Sequence, residues 1–595
     1  HVPAADAPAA LDVATLCEAF QRTAAARADS VAIRTIGDGV SITWAEYAQR
    51  VERIAAGLAA LGLRRGDSFA CMLVNRPEFH LVDVAAMHLG ATAFSIYNTS
   101  SPEQVAYLFG DAGNRIVVTE QQYLDVIRAS GAELEHVVVV DGEGGTLTLA
   151  DLEAGGDPDF DFEAAWHAVE PGDVLTLIYT SGTTGPPKGV ELTHANVLAM
   201  IGPLRGLVPD TEGASVISFL PHAHIADRGV LHYSSLYQGY TVTDCPDPKQ
   251  IVAHLIDTRP ELFGAVPRIF EKLKAALEAG VAAEQDEGKR AATEAALAAG
   301  RERIRLEQAG EPVPAEVTAA CERAEQDLFV HIRAMLGLDK VRATMVGAAP
   351  CPLEVEEFFA AIGLPLSEVW GMSETSAIAT INPPGAQRYG TVGPPIDGVE
   401  IRLDDDGEIL VRGAIIMRGY RNQPDKTRET ISEDGWLRTG DIGAFDDHGY
   451  LKIVDRKKEL IINAAGKNMS PANIETTLKS ANPLIGQAVC VGDGRPYNVA
   501  LIVLDPDVAP AVAAKLGIED ASLGSLASDE RVRAVVAEAV DQANAKLSRV
   551  EQIKKFALLP DEWLPGGEEL TPTMKLKRKP IASKYESAIE ALYAG

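Results

Sequence analysis

Short apolar runs rich in β-branched residues, separated by helical patterns, set the strongest limit on this fold. They are His136–Asp141 (HVVVVD), Asp173–Thr180 (DVLTLIYT), Ser215–Leu220 (SVISFL) and Val341–Gly347 (VRATMVG). Such runs suit strands buried on both faces, which require helices packed on either side of a sheet. Segments like Ser41–Leu63 place apolar residues at helical spacing behind Ser/Thr capping candidates. The alternation predicts an α/β fold built in layers.

At 595 residues the chain exceeds one ordinary core, so several domains or subdomains are expected. From Glu271 to about Leu336 the composition turns to Ala, Glu, Lys, Arg and Gln, interrupted by GEPVP at Gly310–Pro314. That pattern predicts an inserted, partly solvated helical hairpin; no clean heptad run supports a coiled-coil arm. From about Gly398, short strand-like runs (VEIRL, EILVR, LKIV) are divided by the turns DDDG and DDHG, as in a β-rich subdomain. Asp455–Pro471 (DRKKELIINAAGKNMSP) concentrates charge, glycine and proline. It reads as a boundary between a large unit, 1–455, and a small α+β unit, 456–595.

Fifty-four Lys and Arg stand against 85 Asp and Glu, a formal charge of −31. Such a surface repels nucleic acid at long range but leaves room for a local basic pocket. Six scattered cysteines with no C-x-x-C pair suggest reduced, cytosolic thiols. No uncharged apolar run approaches a membrane span, and the first ten residues lack a signal-peptide pattern.

The stretch YTSGTTGPPKGVELTH, Tyr179–His194, follows a predicted strand. Gly182, Gly185 and Gly189 let backbone bend close to a ligand. Thr180, Ser181, Thr183 and Thr184 supply hydroxyls, the backbone N–H groups can form an anion nest, and Lys188 can neutralise phosphate. The Walker pattern fails: Lys188 lies between Pro187 and Gly189, with no Ser or Thr directly after it. A mobile Gly/Thr loop carrying Lys188 is expected, followed by a helix capped near Thr193.

This stretch resembles the signature loop of adenylate-forming enzymes: acyl-CoA synthetases, luciferases and peptide-synthetase adenylation domains. Further matches follow in the family's order: FLPHAHIADR (Phe219–Arg228), VPRIFEK (Val266–Lys272), GAAP (Gly347–Pro350), VWGMSET (Val369–Thr375), GTVGPP (Gly390–Pro395), LRTGDIG (Leu437–Gly443), DRKKELI (Asp455–Ile461) and TPTMKLKRK (Thr571–Lys579). The likeness spans nearly the whole chain.

The resemblance implies a site for ATP, Mg²⁺ and CoA. Ser181, Gly182, Thr183, Thr184 and Gly185 would cradle phosphate with Lys188; Gly347, Ala348 and Ala349 would meet adenine. Trp370 and Gly371 would line the adenine pocket, Ser373 would contact the α-phosphate, and Glu374 with Thr180 would serve the metal. Asp441, helped by Arg456, would bind ribose. Lys575 would reach the reacting carboxylate. His224 would stand near the acyl and thiol channels, while the isolated pair His222 and His224 shows no third metal ligand. ADR replaces the FER of many relatives, so no role is carried onto Asp227. Lys458 resembles a hinge residue and Gly466 the glycine that faces the pantetheine arm. Lys577, Arg578 and Lys579 read as surface, or as contacts for an anionic partner.

The implied reaction is adenylation of a carboxylic acid with loss of pyrophosphate, then attack by a thiol, the small domain rotating between the two steps. The insertion, NAAGKNMSP and Gly492–Pro506 resemble bacterial long-chain fatty acyl-CoA synthetases. A fatty acyl-AMP ligase loading a carrier protein, a medium-chain or aromatic acid–CoA ligase, and a silent nucleotide- or lipid-binding protein are the alternatives. A lipid substrate is compatible with peripheral membrane contact.

Overall fold

The computed structural model describes residues 12–180, 186–208, 210–464 and 467–594. Its largest sheet has eight strands. Five successive pairings, from Val174–Thr180 through Thr92–Ser95, Ser68–Met72, Ile116–Thr119 and His136–Val139 to Leu147–Thr148, are parallel. Lys188–Thr193 and then Gly419–Tyr420 extend it on the other side in antiparallel fashion. The inner strands are buried along their whole length, as unalternating apolar runs require.

A second sheet orders Ser215–Ser218, Thr241–Asp244, Val31–Thr35 and Ser41–Thr43; a third orders Leu262–Ala265, Ala343–Val346, Leu366–Trp370 and Thr380–Ile381. The expected β-rich unit is a four-stranded antiparallel sheet of Val399–Leu403, Glu408–Gly413, Leu437–Phe445 and Leu451–Arg456. Helices cover these sheets, giving a large mixed α/β N-terminal domain. Two of the predicted helix starts have capping boxes: Thr43 with Glu46 before Trp44–Ala60, and Thr193 with Asn196 before His194–Leu207.

The insertion is more than a hairpin. Pro267–Ala283, Glu287–Ala309 and Ala315–Ala324 are separate helices, and a π-helical turn at Glu325–Phe329 continues into Val330–Met335. Gly310, at φ +68°, ends the second of these, its own N–H and that of Glu311 closing onto Glu307 and Leu306 carbonyls. Phe270, Leu273, Leu297, Phe329 and Ile332 join one core with Phe263, Phe358 and Phe359. The insertion is therefore part of the body of the domain.

The smaller C-terminal domain has a three-stranded sheet, Ile485–Val491, Asn498–Leu504 and Ile553–Leu559. Pro471–Ala481 and Glu530–Lys546 pack on one face through Ile474, Leu478, Val536 and Val540. The opposite face takes Trp563, Ile581, Tyr585 and Ile589. Among the described residues no helix is long and apolar enough to cross a membrane.

Candidate active site

The Gly/Thr stretch joins two strands of one antiparallel hairpin. Thr180 ends Val174–Thr180, Lys188 opens Lys188–Thr193, and the two residues pair across the ladder. Lys188 thus stands on a strand, where a loop position was expected: extending the ladder to Lys188 satisfies backbone groups that a loop would leave to solvent. Ser181, Gly182, Thr183, Thr184 and Gly185 lie outside the described residues, as does Gly466. The base of the hairpin is tied down by Tyr179, whose hydroxyl donates to Asp111 Oδ2 over 2.9 Å, and by Tyr107, which donates to the Pro187 carbonyl over 2.9 Å.

Lys188 Nζ sits 3.9 Å above the ring of Tyr420, whose hydroxyl donates to Glu374 Oε1 over 2.7 Å. The ring face attracts the ammonium, and burial lowers the Lys188 pKa while Glu374 opposes that shift. Tyr420, in the RGYRN stretch, drew no notice in the sequence because its partners lie far away along the chain. It reaches the site by pairing with Val190 in the large sheet.

Gly347, Ala348 and Ala349 follow the strand Ala343–Val346. A Cβ on Gly347 would fall 2.6 Å from Val369 Cγ2, and one on Gly371 would fall 2.0 Å from the Ala377 carbonyl oxygen, so both positions require glycine. Ala348 takes the left-handed region at φ +68°. Trp370 ends the strand Leu366–Trp370, and Ser373–Thr375 forms a short 3₁₀ turn that buries Glu374.

Asp441 lies in the strand Leu437–Phe445, 6% exposed. Trp370 Nε1 donates to its Oδ2 over 2.9 Å. Arg456 Nε stands 3.0 Å from its Oδ1, but off the hydrogen-bonding direction, so this buried oxygen has no hydrogen-bond donor. A buried carboxylate oxygen without a donor is a costly arrangement unless a ligand hydroxyl supplies one.

Lys575 enters from the small domain. Thr571–Lys575 is a tight turn: Met574 N donates to the Thr571 carbonyl over 2.9 Å, Thr571 N to the Lys575 carbonyl over 2.8 Å, and Met574 is left-handed at φ +63°. Leu576 packs beneath it in the small-domain core. Lys575 is exposed as a residue and lines the cavity. Burial first, then the nearby Arg456 charge, lowers its pKa; Asp441, Glu374 and Glu459 pull the other way. Arg578 is no surface cation. Its fork donates to Glu475 over 2.6 and 2.9 Å, and its Nε to Glu459 over 3.1 Å. Lys577 donates to the Gly567 carbonyl over 2.7 Å. A buried Glu475 needs such a partner, which is why these cations turn inward.

The two histidines of the LPHAHIADR stretch have separate partners. His222 Nδ1 lies 2.6 Å from Asp227 Oδ2, its ring stacks on Phe79 at 3.5 Å, and Ser218 Oγ donates to Asp227 Oδ1 over 3.2 Å. Asp227, which carried no expected role, is therefore the residue that holds His222. His224 is not part of that set. Ala226 N donates to its Nδ1 over 3.2 Å, and burial followed by the Lys575 charge lowers its pKa to about 4. It is a neutral imidazole with its proton on Nε2, hence a hydrogen-bond donor at that nitrogen.

Every described residue of the predicted site lines one connected cavity of about 2170 Å³. The wall of the same cavity also carries apolar residues: Val216 and Tyr240, packed in one cluster with Leu231 and Leu262, together with Phe219 and Gly264. Glu368, in the cavity wall, and Glu356 are buried: Cys351 N donates to Glu368 Oε1 over 3.0 Å and Gly390 N to Glu356 Oε2 over 2.9 Å, and Glu356 Oε1 has no partner. Burial raises the pKa of Glu356 to about 9, with Glu368 adding repulsion, and that of Glu368 to about 8. No motif pointed to Glu356, because its neighbour is 12 residues away in sequence and meets it only through the fold.

The AMP-binding enzyme model matches residues 20–421, and the AMP-binding enzyme C-terminal domain model matches 458–595. A Mycobacterium tuberculosis protein provisionally named fatty-acid–CoA ligase fadD11 is 51% identical over 451 residues, covering 76% of this chain and 79% of its own. Long-chain-fatty-acid–CoA ligase FadD15 of the same species is 36% identical over 588 residues, covering 95% and 94%. In fold, the chain is similar to the adenylation domain of a carboxylate reductase from Mycobacterium chelonae, with TM-score 0.74, 21% identity, and 98% and 92% coverage. With a matching model over more than half its length and a relative this similar over most of both chains, the protein belongs to the AMP-binding enzyme family.

Proposed function

We propose that this chain activates a long-chain fatty acid with ATP and passes the acyl group to CoA. The observation that carries this reading is that Lys575, from the small domain, lines one cavity with Asp441, Arg456 and Glu374, whose charges it feels, and with the apolar cluster of Val216, Leu231, Tyr240 and Leu262. The charged and polar residues suit a nucleotide and a carboxylate together, and the apolar cluster suits an alkyl chain. The curated relatives named fatty-acid–CoA ligases support the same reading.

In the first step a carboxylate oxygen attacks the α-phosphorus of ATP. A C–O–P anhydride forms, and the bond to pyrophosphate breaks. Such chemistry needs positioning and charge neutralisation above all. Asp441 accepts ribose hydroxyls at its unpaired oxygen, with Trp370 and Arg456 fixing the carboxylate. Lys188, held over Tyr420, meets departing phosphate; for Ser181, Gly182, Thr183, Thr184 and Gly185 a phosphate-binding role rests on the sequence motif alone. Lys575 holds the attacking carboxylate. Glu374 and Thr180 offer hard oxygen donors of the type Mg²⁺ takes, and that ion would neutralise phosphate charge. In the second step a CoA thiol attacks the acyl carbonyl and AMP leaves, with His224 Nε2 donating toward the acyl oxygen; the role of Gly466 toward the pantetheine arm is carried by the sequence motif alone.

The boundary between the two domains falls at 455/456 in this reading. Lys457 pairs with Glu408 at 2.9 Å in the large domain, whereas Glu459 takes Arg578 of the small one. Lys458 lies between these opposed anchors, as a hinge residue would. Six free, buried cysteines agree with a reducing, cytoplasmic setting, and a lipid substrate with reversible contact at a membrane surface.

AMP release measured against a fatty-acid length series, with and without CoA, tests the proposal. Release that depends on long-chain acid and yields acyl-CoA is expected. Product formed only with a holo carrier protein would assign the acceptor differently, and release unaffected by any acid would sink the reading.

A further inference from the structure

The VPRIFEK stretch supplies charge at the interface between the domains. Arg268, in the first turn of Pro267–Ala283, donates to Asp505 of the small domain and pairs with Glu271 at 2.9 Å. Lys272 pairs with Asp507 at 2.6 Å. Across the same interface Lys546 of the small domain pairs with Glu354 of the large one. A cation at a helix N-terminus opposes the helix dipole, so local helix stability does not explain Arg268 there.

The pairs differ in weight. Asp505 is 5% exposed, and its Oδ1 already accepts from Asp507 N at 2.9 Å and Val508 N at 3.3 Å, so it presents Oδ2 from a rigid frame. Lys272, Asp507, Lys546 and Glu354 are all well exposed, and such pairs contribute little. Behind Arg268 and Glu271 stands Lys479, which feels Glu271 and Glu475. Glu475 in turn is clasped by Arg578, three residues after Lys575. A chain of charges thus runs from the large domain, through the small-domain core, to the turn that carries Lys575.

We infer that the Arg268–Asp505 pair is a latch that holds the small domain in the orientation delivering Lys575 to the cavity, so that it favours adenylation over thioester formation. Arg268 is a positioning residue: it acts through Lys575 and touches none of the reacting atoms. The inference rests on the proposed role of Lys575.

The test separates the two half-reactions of the full chain. Acid-dependent ATP–pyrophosphate exchange reads adenylation, and CoA thioester formation from supplied acyl-AMP reads the second step. Arg268→Asp should slow exchange about tenfold, the scale of losing a partly shielded ion pair, while the second step holds or rises. Asp505→Asn keeps the acceptor for Asp507 N and Val508 N but removes the charge, and should act in the same direction. The double exchange Arg268→Asp/Asp505→Arg should recover most of the loss, whereas Lys272→Met should change exchange less than about twofold. Equal loss of both half-reactions, or a folded Asp505→Asn chain with unchanged exchange, would overturn the latch. Lys575→Ala serves as the reference: if it leaves exchange intact, the underlying reading of Lys575 has failed; if it abolishes exchange while Arg268→Asp leaves exchange at the wild-type rate, the latch alone has failed.

Discussion

Trp370 donates its indole N–H to Asp441 Oδ2 over 2.9 Å, joining the last residue of a strand in one sheet to a residue in the middle of a strand in another. The bond leaves Asp441 with one satisfied oxygen and one free of donors, a carboxylate oriented for a ligand hydroxyl. Trp370→Phe keeps the ring and removes the donor, stranding a buried oxygen at a cost of about 1–3 kcal/mol. The expected result is a rise of about tenfold or more in the ATP KM with a smaller change in kcat. A steady-state ATP titration checks it, and an unchanged KM would show that the indole is only packing.

Lys575→Ala should abolish adenylation yet preserve thioester formation from supplied acyl-AMP. A single cation aimed at a developing charge in a shielded cleft is worth about 10²–10³ in rate. Pyrophosphate exchange and single-turnover acyl transfer separate the two steps, and equal loss of both would contradict the assignment.

His224 titrates near pH 4, so it should stay neutral throughout the working range. The sign follows: a depressed histidine pKa costs stability only as pH falls below its ordinary value of about 6.5 and through about 4. The thioester step should therefore show no histidine limb between about pH 6 and 8. His224→Gln, which keeps a donor, should retain more acyl transfer than His224→Ala; the reverse order would point to a base instead.

Glu356 and Glu368 have pKa values raised to about 9 and about 8. A raised carboxylate favours the protonated form in the folded state. Its stability is full below about pH 4.5 and is lost as pH climbs through about 8 and 9. Glu356→Gln removes one ionisable member while an amide oxygen can still accept from Gly390 N. Its Tm relative to wild type should therefore rise steadily between pH 6 and pH 9, by thermal melts across that range. A difference independent of pH would contradict the buried-acid account.

Much of the architecture is legible in local patterns. The run DVLTLIYT becomes a strand because only a doubly covered strand buries such a segment without alternation, and Thr193 caps a helix because its side chain meets the N–H of Asn196. The insertion was visible by composition, but its incorporation into the core was not. The residues that bury it, Phe358 and Phe359, lie beyond it in the chain. The same holds for Lys188. Its place on a strand depends on pairing with Thr180 and on Tyr420 arriving next to it.

The sequence by itself determined the alternation of strands and helices, the motif residues, and therefore the family. These are local properties: periodicity, capping and the order of glycine, hydroxyl and charge are written in neighbouring positions. Only the tertiary structure decided that Asp227 holds His222, that Tyr420 bridges Lys188 to Glu374, and that Arg578 turns inward to Glu475. Each depends on burial and on the approach of segments far apart in the chain. Burial makes an unpaired charge costly, and only the fold supplies the partner.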